Sequence, residues 1–171
     1  MLKAAIRDPD PVLYLEHKRT YRLVKGEVPE GDQLVPIGKA DIKREGTDLS
    51  LIAYGLMLTY CLEVAEKLAA DGISAEVLDL RTIKPIDQAA IIGTARKTGK
   101  VLVVHEDTPF AGIAAEVMAI IMENAFDALD APVMRFTGPD VPAMPFNQVL
   151  EEAFMPSVEK ILVKARELAA Y

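Results

Sequence analysis

The chain has 171 residues, 51% of them apolar, enough to bury one good core but hardly two, so one domain plus an appendage is expected. A charged fraction of 26% and a net charge of -7 describe an acidic soluble protein whose field repels nucleic acid and anionic membranes. Cys61 is the single cysteine, which excludes an intrachain disulfide, a Cys-x-x-Cys redox pair and a thiolate metal cluster, and fits a reducing compartment. The N-terminus, Met1 to Asp10, has no uninterrupted apolar region for export, and no apolar run reaches the length of a membrane span, so a cytoplasmic location is expected.

The chain changes texture near Gly46. Before it, Pro9, Pro11, Pro29 and Pro36 interrupt short patches. A strand is predicted over residues 12–15, a polar stretch runs from Glu16 to Asp32, and a weaker alternation between Ile37 and Arg44 suits an edge strand. After Gly46, apolar runs of strand length alternate with stretches of helical period, the pattern of a parallel sheet with crossover helices.

The first of these strands is predicted over 49–54, and its helix places Met57, Cys61, Val64, Ala65 and Leu68 on one face before stopping at Gly72. The second strand covers 75–80. Asp87 then caps a helix that turns Ala90, Ile91, Thr94 and Ala95 inward and ends at Gly99, with Arg96, Lys97 and Lys100 near its C-terminus, where cations suit the helix dipole. The third strand, 101–104, delivers His105, Glu106 and Asp107 to its exit, and a long helix follows with Ile113, Val117, Ile120 and Ile121 as its core stripe. The fourth strand is predicted over 133–137. A crossing from Gly138 to Pro145, stiffened by Pro139 and Pro142, leads to a last helix after Pro156, capped by Ser157, with Ile161, Leu162, Ala165 and Leu168 facing the core.

Strand exits are where sites form in open α/β sheets. At one exit, His105 stands beside Glu106 and Asp107, and an imidazole next to two carboxylates can be tuned to exchange protons near neutral pH. His105 and Glu106 are therefore the candidate catalytic residues, although a hydrogen-bonded structural role is the commoner fate of a single His at a strand end. At the neighbouring exit Arg81 and Lys84 could cradle an anion, but pairing of Arg81 with Asp79 or Glu106 is the favoured reading. Neither His17 nor any other residue shows a metal-ligand spacing with His105. No Gly-x-x-x-x-Gly-Lys and no Gly-x-Gly-x-x-Gly follows a strand; Gly55 stands alone after the first, and Cys61 reads as core filling.

Several blocks together are familiar: residues 79–87, Asp-Leu-Arg-Thr-Ile-Lys-Pro-Ile-Asp; 97–106, Lys-Thr-Gly-Lys-Val-Leu-Val-Val-His-Glu; 129–133, Leu-Asp-Ala-Pro-Val; and 138–145, Gly-Pro-Asp-Val-Pro-Ala-Met-Pro. With 4–11, Ala-Ala-Ile-Arg-Asp-Pro-Asp-Pro, they resemble, in order along the whole chain, the β subunit of thiamine-diphosphate-dependent 2-oxoacid dehydrogenases. The resemblance implies a transketolase C-terminal-like domain: α/β, three layers α/β/α, with a five-stranded, mixed but mainly parallel sheet whose first strand, around 40–44, is antiparallel. Residues 1–46 would be a remnant of the preceding pyrimidine-binding domain plus linker and edge strand, and 47–171 the C-terminal domain.

In that family the β subunit joins an α subunit and a second β subunit in a heterotetramer that decarboxylates a 2-oxoacid and passes the acyl group to lipoyl-lysine. An intact β subunit is about twice this length, and its other half carries the glutamate and histidine that serve the cofactor. The resemblance thus implies thiamine diphosphate and magnesium in the intact assembly but none bound by this chain, which looks like the C-terminal half and is expected to be inactive alone. It also implies docking of the dihydrolipoyl acyltransferase's subunit-binding domain through an acidic residue and the terminal carboxylate, here Asp130 and Tyr171; that Asp130 merely stops a helix is the competing reading. Charge fits, since such docking domains are basic.

The alternative function is a stand-alone interaction module without a catalytic role. A flavodoxin-like or receiver domain is a third reading, supported by little beyond Asp79. The isolated chain is expected to form a homo-oligomer, because surfaces normally covered by other subunits would be apolar. The choice among pyruvate, branched-chain 2-oxoacids and acetoin is not legible, although the His105-Glu106 pair resembles the branched-chain type.

Overall fold

The computed structural model describes residues 1–28 and 30–171; Pro29, one of the prolines expected to interrupt the arm, lies outside the described residues. One mixed sheet holds β1 (Asp41–Arg44), β2 (Leu49–Ala53), β3 (Ala75–Asp79), β4 (Val101–Val104) and β5 (Met134–Phe136), in the order β1-β3-β2-β4-β5. β1 is antiparallel to β3, as expected for the edge strand, and every other neighbouring pair is parallel. The helices are α1 (Leu2–Arg7), α2 (Thr20–Leu23), α3 (Leu56–Ala70), α4 (Gln88–Thr98), α5 (Ile113–Ala125), α6 (Gln148–Phe154) and α7 (Val158–Ala169). Among the described residues, no helix is long and apolar enough to cross a membrane.

β2, β3 and β4 are buried along their whole length, which is why they read as continuous apolar runs: both faces of a parallel sheet are covered. Alternate residues divide between two cores. Leu49, Leu51, Ala53, Val77, Leu102 and Val104 pack with α3 and α7, whereas Ile52, Leu78, Val101 and Val103 pack with α4 and α5. The three layers follow. Helix boundaries track their local signals: the Asp87 carboxylate accepts from the Ala90 N–H at 3.2 Å to open α4, Gly99 at φ 66° closes it, and the Ser157 hydroxyl accepts from the Lys160 N–H at 3.3 Å to open α7.

One patch on the α4 side is polar. Glu76 of β3 is fully buried; it accepts from the Thr94 hydroxyl and the Lys97 ammonium, and Lys97 also reaches Glu45 just after β1. Ser50 of β2 joins this network through Thr94 (2.9 Å) and Thr98 (2.8 Å). Gly46 lets the β1–β2 connection press against it, since a Cβ there would collide with the main chain of Ala75 and Glu76.

Three features depart from expectation. Residues 12–15 form no strand and pair with none among the described residues; Leu13 and Leu15 are 87% and 82% exposed, Val12 and Tyr14 39% each. The arm instead contains the short helices α1 and α2, neither with a buried residue. The crossing toward α7 contains α6, started by Asn147, whose side chain accepts from the Val149 N–H at 3.0 Å, and finished by the Lys160 ammonium, which bonds the carbonyls of Glu152, Ala153 and Met155 at 3.2, 3.0 and 3.0 Å. The finishing cation comes from another helix, so only the Asn147 cap was visible locally.

Candidate functional site

The chain leaves β2 toward β3 on one side and returns to β4 on the other, so strand order reverses between β2 and β4. Outside the C-terminal ends of two such strands a crevice opens because the following segments diverge. Register pairs Ala53 with Val104, setting Tyr54 and Gly55 beside His105, Glu106 and Asp107. A crevice of about 290 Å³ lies there, lined by Tyr54, Gly55, Glu106 and Asp107 and, from the arm, by Leu15, Glu16 and His17. Gly55, at φ 59°, makes the sharp turn from β2 into α3.

The two candidate catalytic residues separate here. His105 is 1% exposed; its main-chain N–H continues the ladder to Phe136 O at 3.1 Å, and its ring packs against Gly112, where a Cβ would meet its Cε1 at 2.7 Å. Neither ring nitrogen has a partner among the described residues. Burial pushes the imidazole below its ordinary 6.5, against a smaller upward pull from Asp107. Glu106 does not meet His105. It bonds to His17 Nε2 at 3.2 Å, a residue 89 positions earlier that no local pattern connects with it. Burial, then Asp107 and Glu106, raise the Tyr54 phenol.

Because the fold prefers the neutral imidazole of His105, its contribution to stability is complete above 6.5, the unfolded value, and is lost as pH falls from there toward the lower folded value. Thermal unfolding followed at about pH 7.5 and about pH 5.5 should show a drop in Tm that shrinks in His105→Asn. An equal drop in the variant would assign the acid sensitivity to other groups.

At the β3 exit, Arg81 is committed to structure. Its guanidinium bonds Asp41 at 2.6 Å and lies 3.9 Å from Asp79, and its main-chain N–H donates to the Asp79 carboxylate at 3.1 Å, which supports its φ of 57°. Of its two expected partners Arg81 meets Asp79, whereas Glu106 pairs elsewhere. Burial raises the Asp79 carboxyl, while the Lys43 ammonium and then Arg81 lower that of Asp41. The cluster braces β1 onto β3. Cys61 is fully buried and its thiol is pushed strongly up by burial, so it is unreactive.

Asp130 and Tyr171 lie at the opposite end of the sheet. Asp130 donates its main-chain N–H to Gly99 O at 2.8 Å, and the Lys100 ammonium bonds Ala169 O at 3.1 Å, so both residues border the start of β4. Both are exposed, and the Asp130 side chain caps nothing: it has no hydrogen-bond or ion-pair partner among the described residues. At ~3.3 Å per residue, roughly 16 Å of strand separates this corner from the His105 exit.

A family model described as "Transketolase, C-terminal domain" matches residues 38–161. Over all 171 residues the chain is 56% identical to 2-oxoisovalerate dehydrogenase subunit beta of Bacillus subtilis (strain 168), of which it covers 52%. It is 47% identical over the same length to pyruvate dehydrogenase E1 component subunit beta of that organism, again covering 52%. A solved structure described as "Split gene transketolase, inactive beta4 tetramer" aligns with a TM-score of 0.73 at 28% identity, over 85% of this chain and 46% of that one. The chain spans about half the length of the curated relatives it matches. Matched over residues 38–161, most of its length, this chain belongs to the transketolase C-terminal domain family.

Proposed function

We propose that this chain is the C-terminal domain of the β subunit of a thiamine-diphosphate-dependent 2-oxoacid dehydrogenase, and that it serves subunit assembly and docking of the acyltransferase rather than the central chemistry. The observation that carries this is the 56% identity to a 2-oxoisovalerate dehydrogenase β subunit along the entire chain. The excess over the 47% found for the pyruvate enzyme favours a branched-chain 2-oxoacid as the substrate of the whole assembly. Residues 1–46 are read as linker, edge strand and a remnant of the preceding domain, and the assembly as cytoplasmic.

The residues present do not suit thiamine diphosphate or magnesium. Glu16, Glu106 and Asp107 place three carboxylates around the crevice, which would repel a diphosphate, and among the described residues no group of three His, Cys, Asp or Glu side chains could hold a metal ion. Cofactor chemistry is therefore assigned to the rest of the assembly, in the α subunit and the other half of β. Of the candidate catalytic pair, His105 is sealed from solvent and Glu106 is engaged by His17, which favours a supporting role for both.

Docking is assigned to Asp130 and the Tyr171 carboxylate, two exposed anionic groups at one corner. Self-association is assigned to the uncovered apolar side chains of α6 and its approach, Phe146, Val149 and Leu150, with Phe110 and Leu13; the similarity to a β-only tetramer supports it. Light scattering coupled to size-exclusion chromatography, run alone and with the acyltransferase's subunit-binding domain, tests both. The chain should elute as a multiple of its own mass and shift further with the binding domain. A monomer that ignores that domain would reject the reading in favour of an unrelated use of the fold.

A further inference from the structure

We infer that residues 15–17 form a strap that closes the crevice between the exits of β2 and β4, held by one polar catch, the His17 imidazole on the Glu106 carboxylate. The inference does not rest on the docking role, which lies at the other end of the sheet.

The arm is tied mostly to itself. Lys3 and Arg7 pair with Asp32 at 3.4 and 2.8 Å, the Tyr21 hydroxyl donates to Glu16 at 2.5 Å, and Thr20 bonds the His17 carbonyl through its N–H (3.0 Å) and its hydroxyl (2.6 Å). Among the described residues, the hydrogen bond from His17 to Glu106 is the one that joins residues 1–38 to the remainder of the chain. Apolar anchoring within the strap itself is slight, because Leu15 is 82% exposed and hydrophobic gain scales with area removed from water; the more covered apolar residues, Val12 and Tyr14 at 39% exposed each, precede it.

Closure is opposed as well as held. The His17 Nδ1 is buried without a partner, which penalises the closed state, and Glu16, Glu106 and Asp107 crowd one crevice. The strap is thus poised to open, uncovering the half-buried Tyr54 beside the already exposed Gly55, at the place in an α/β sheet where ligands gain access. The charged and titratable groups around the catch are these three carboxylates and the Tyr54 phenol.

Amide hydrogen exchange and limited trypsin digestion of the 171-residue chain test this. His17→Ala and Glu106→Ala should each speed exchange at residues 54–56 and cleavage after Arg19 by roughly threefold to tenfold, the range expected for the net worth of one ordinary hydrogen bond. The double variant should add little to either single one. Arg7→Ala, which cuts a contact inside the arm, should leave both rates unchanged. Unchanged rates in His17→Ala and Glu106→Ala would overturn the inference, as would a rise that spreads to the amides of β2 and β4, which would report general loosening of the domain.

Discussion

Asp130→Lys should weaken binding of the acyltransferase's subunit-binding domain by roughly tenfold to a hundredfold, about 1.5–3 kcal/mol, while leaving the domain as stable as before or slightly more so. The two signs have separate causes. The Asp130 carboxylate lies over Gly99, just beyond the last turn of α4, where the unsatisfied carbonyls make the helix end negative. A carboxylate suits that place poorly, and no side-chain partner offsets it. A lysine there complements the dipole. For a basic docking domain the same change replaces attraction by repulsion, and screening by salt should matter less in the variant than in the parent. Calorimetric titration at two salt concentrations, with thermal unfolding beside it, reads both effects. Unchanged affinity would remove Asp130 from the docking surface; a clear loss of stability would instead support the view that it merely terminates a helix.

Thr94→Val should destabilise the fold by about 2–3 kcal/mol, lowering Tm by roughly 5–10 °C, despite conserving shape. Thr94 is 3% exposed, its hydroxyl donates to the fully buried Glu76 carboxylate, and the same oxygen meets Ser50 at 2.9 Å. Removing it leaves one carboxylate oxygen and one hydroxyl in a dry layer with fewer partners, and the penalty is that of desolvation without compensation. Lys97 remains on Glu76 in the variant, which keeps the loss below that of an unpaired buried charge. Ser50→Ala should cost less, because Thr94 and Thr98 still bond their other partners, and the two substitutions together should fall short of their sum. Denaturant unfolding measures these values. A loss under about 0.5 kcal/mol for Thr94→Val would show that the network adds no stability beyond hydrophobic shape.

This network also shows why some of the molecule escapes a reading of the sequence. Ser50, Thr94 and Thr98 look like ordinary small polar residues in a strand and a helix, and Glu76 is the second residue of what reads as a buried strand. Only the pairing of β2 with β3 under α4 turns them into one connected group. His17 and Glu106 make the point more sharply. Glu106 was singled out for its place at a strand exit beside His105, yet its partner is the distant histidine of the arm, and His105 itself is packed against Gly112. Adjacent residues at a strand end point in different directions, so neighbours in sequence need not be partners in space.

The arm illustrates the opposite error. Val12 to Leu15 has the composition of a strand, and Val12 and Tyr14 are more covered than Leu13 and Leu15, but a strand needs an edge to pair with, and none among the described residues pairs with it. Propensity without a partner produced extended, exposed chain.

The framework was legible along the chain. Apolar runs of strand length, helical stripes ending at Gly72 and Gly99, and caps at Asp87 and Ser157 act over a few residues, so they set the elements and their order wherever the chain is placed. The blocks from Asp79 to Asp87 and from Lys97 to Glu106 likewise marked the family. Which charged groups meet was settled by the fold: Arg81 with Asp41, Glu106 with His17, Lys160 with the end of α6, and Asp130 without a side-chain partner among the described residues. Those outcomes depend on contacts between distant segments, whose geometry is fixed by sheet order and layer packing rather than by local pattern.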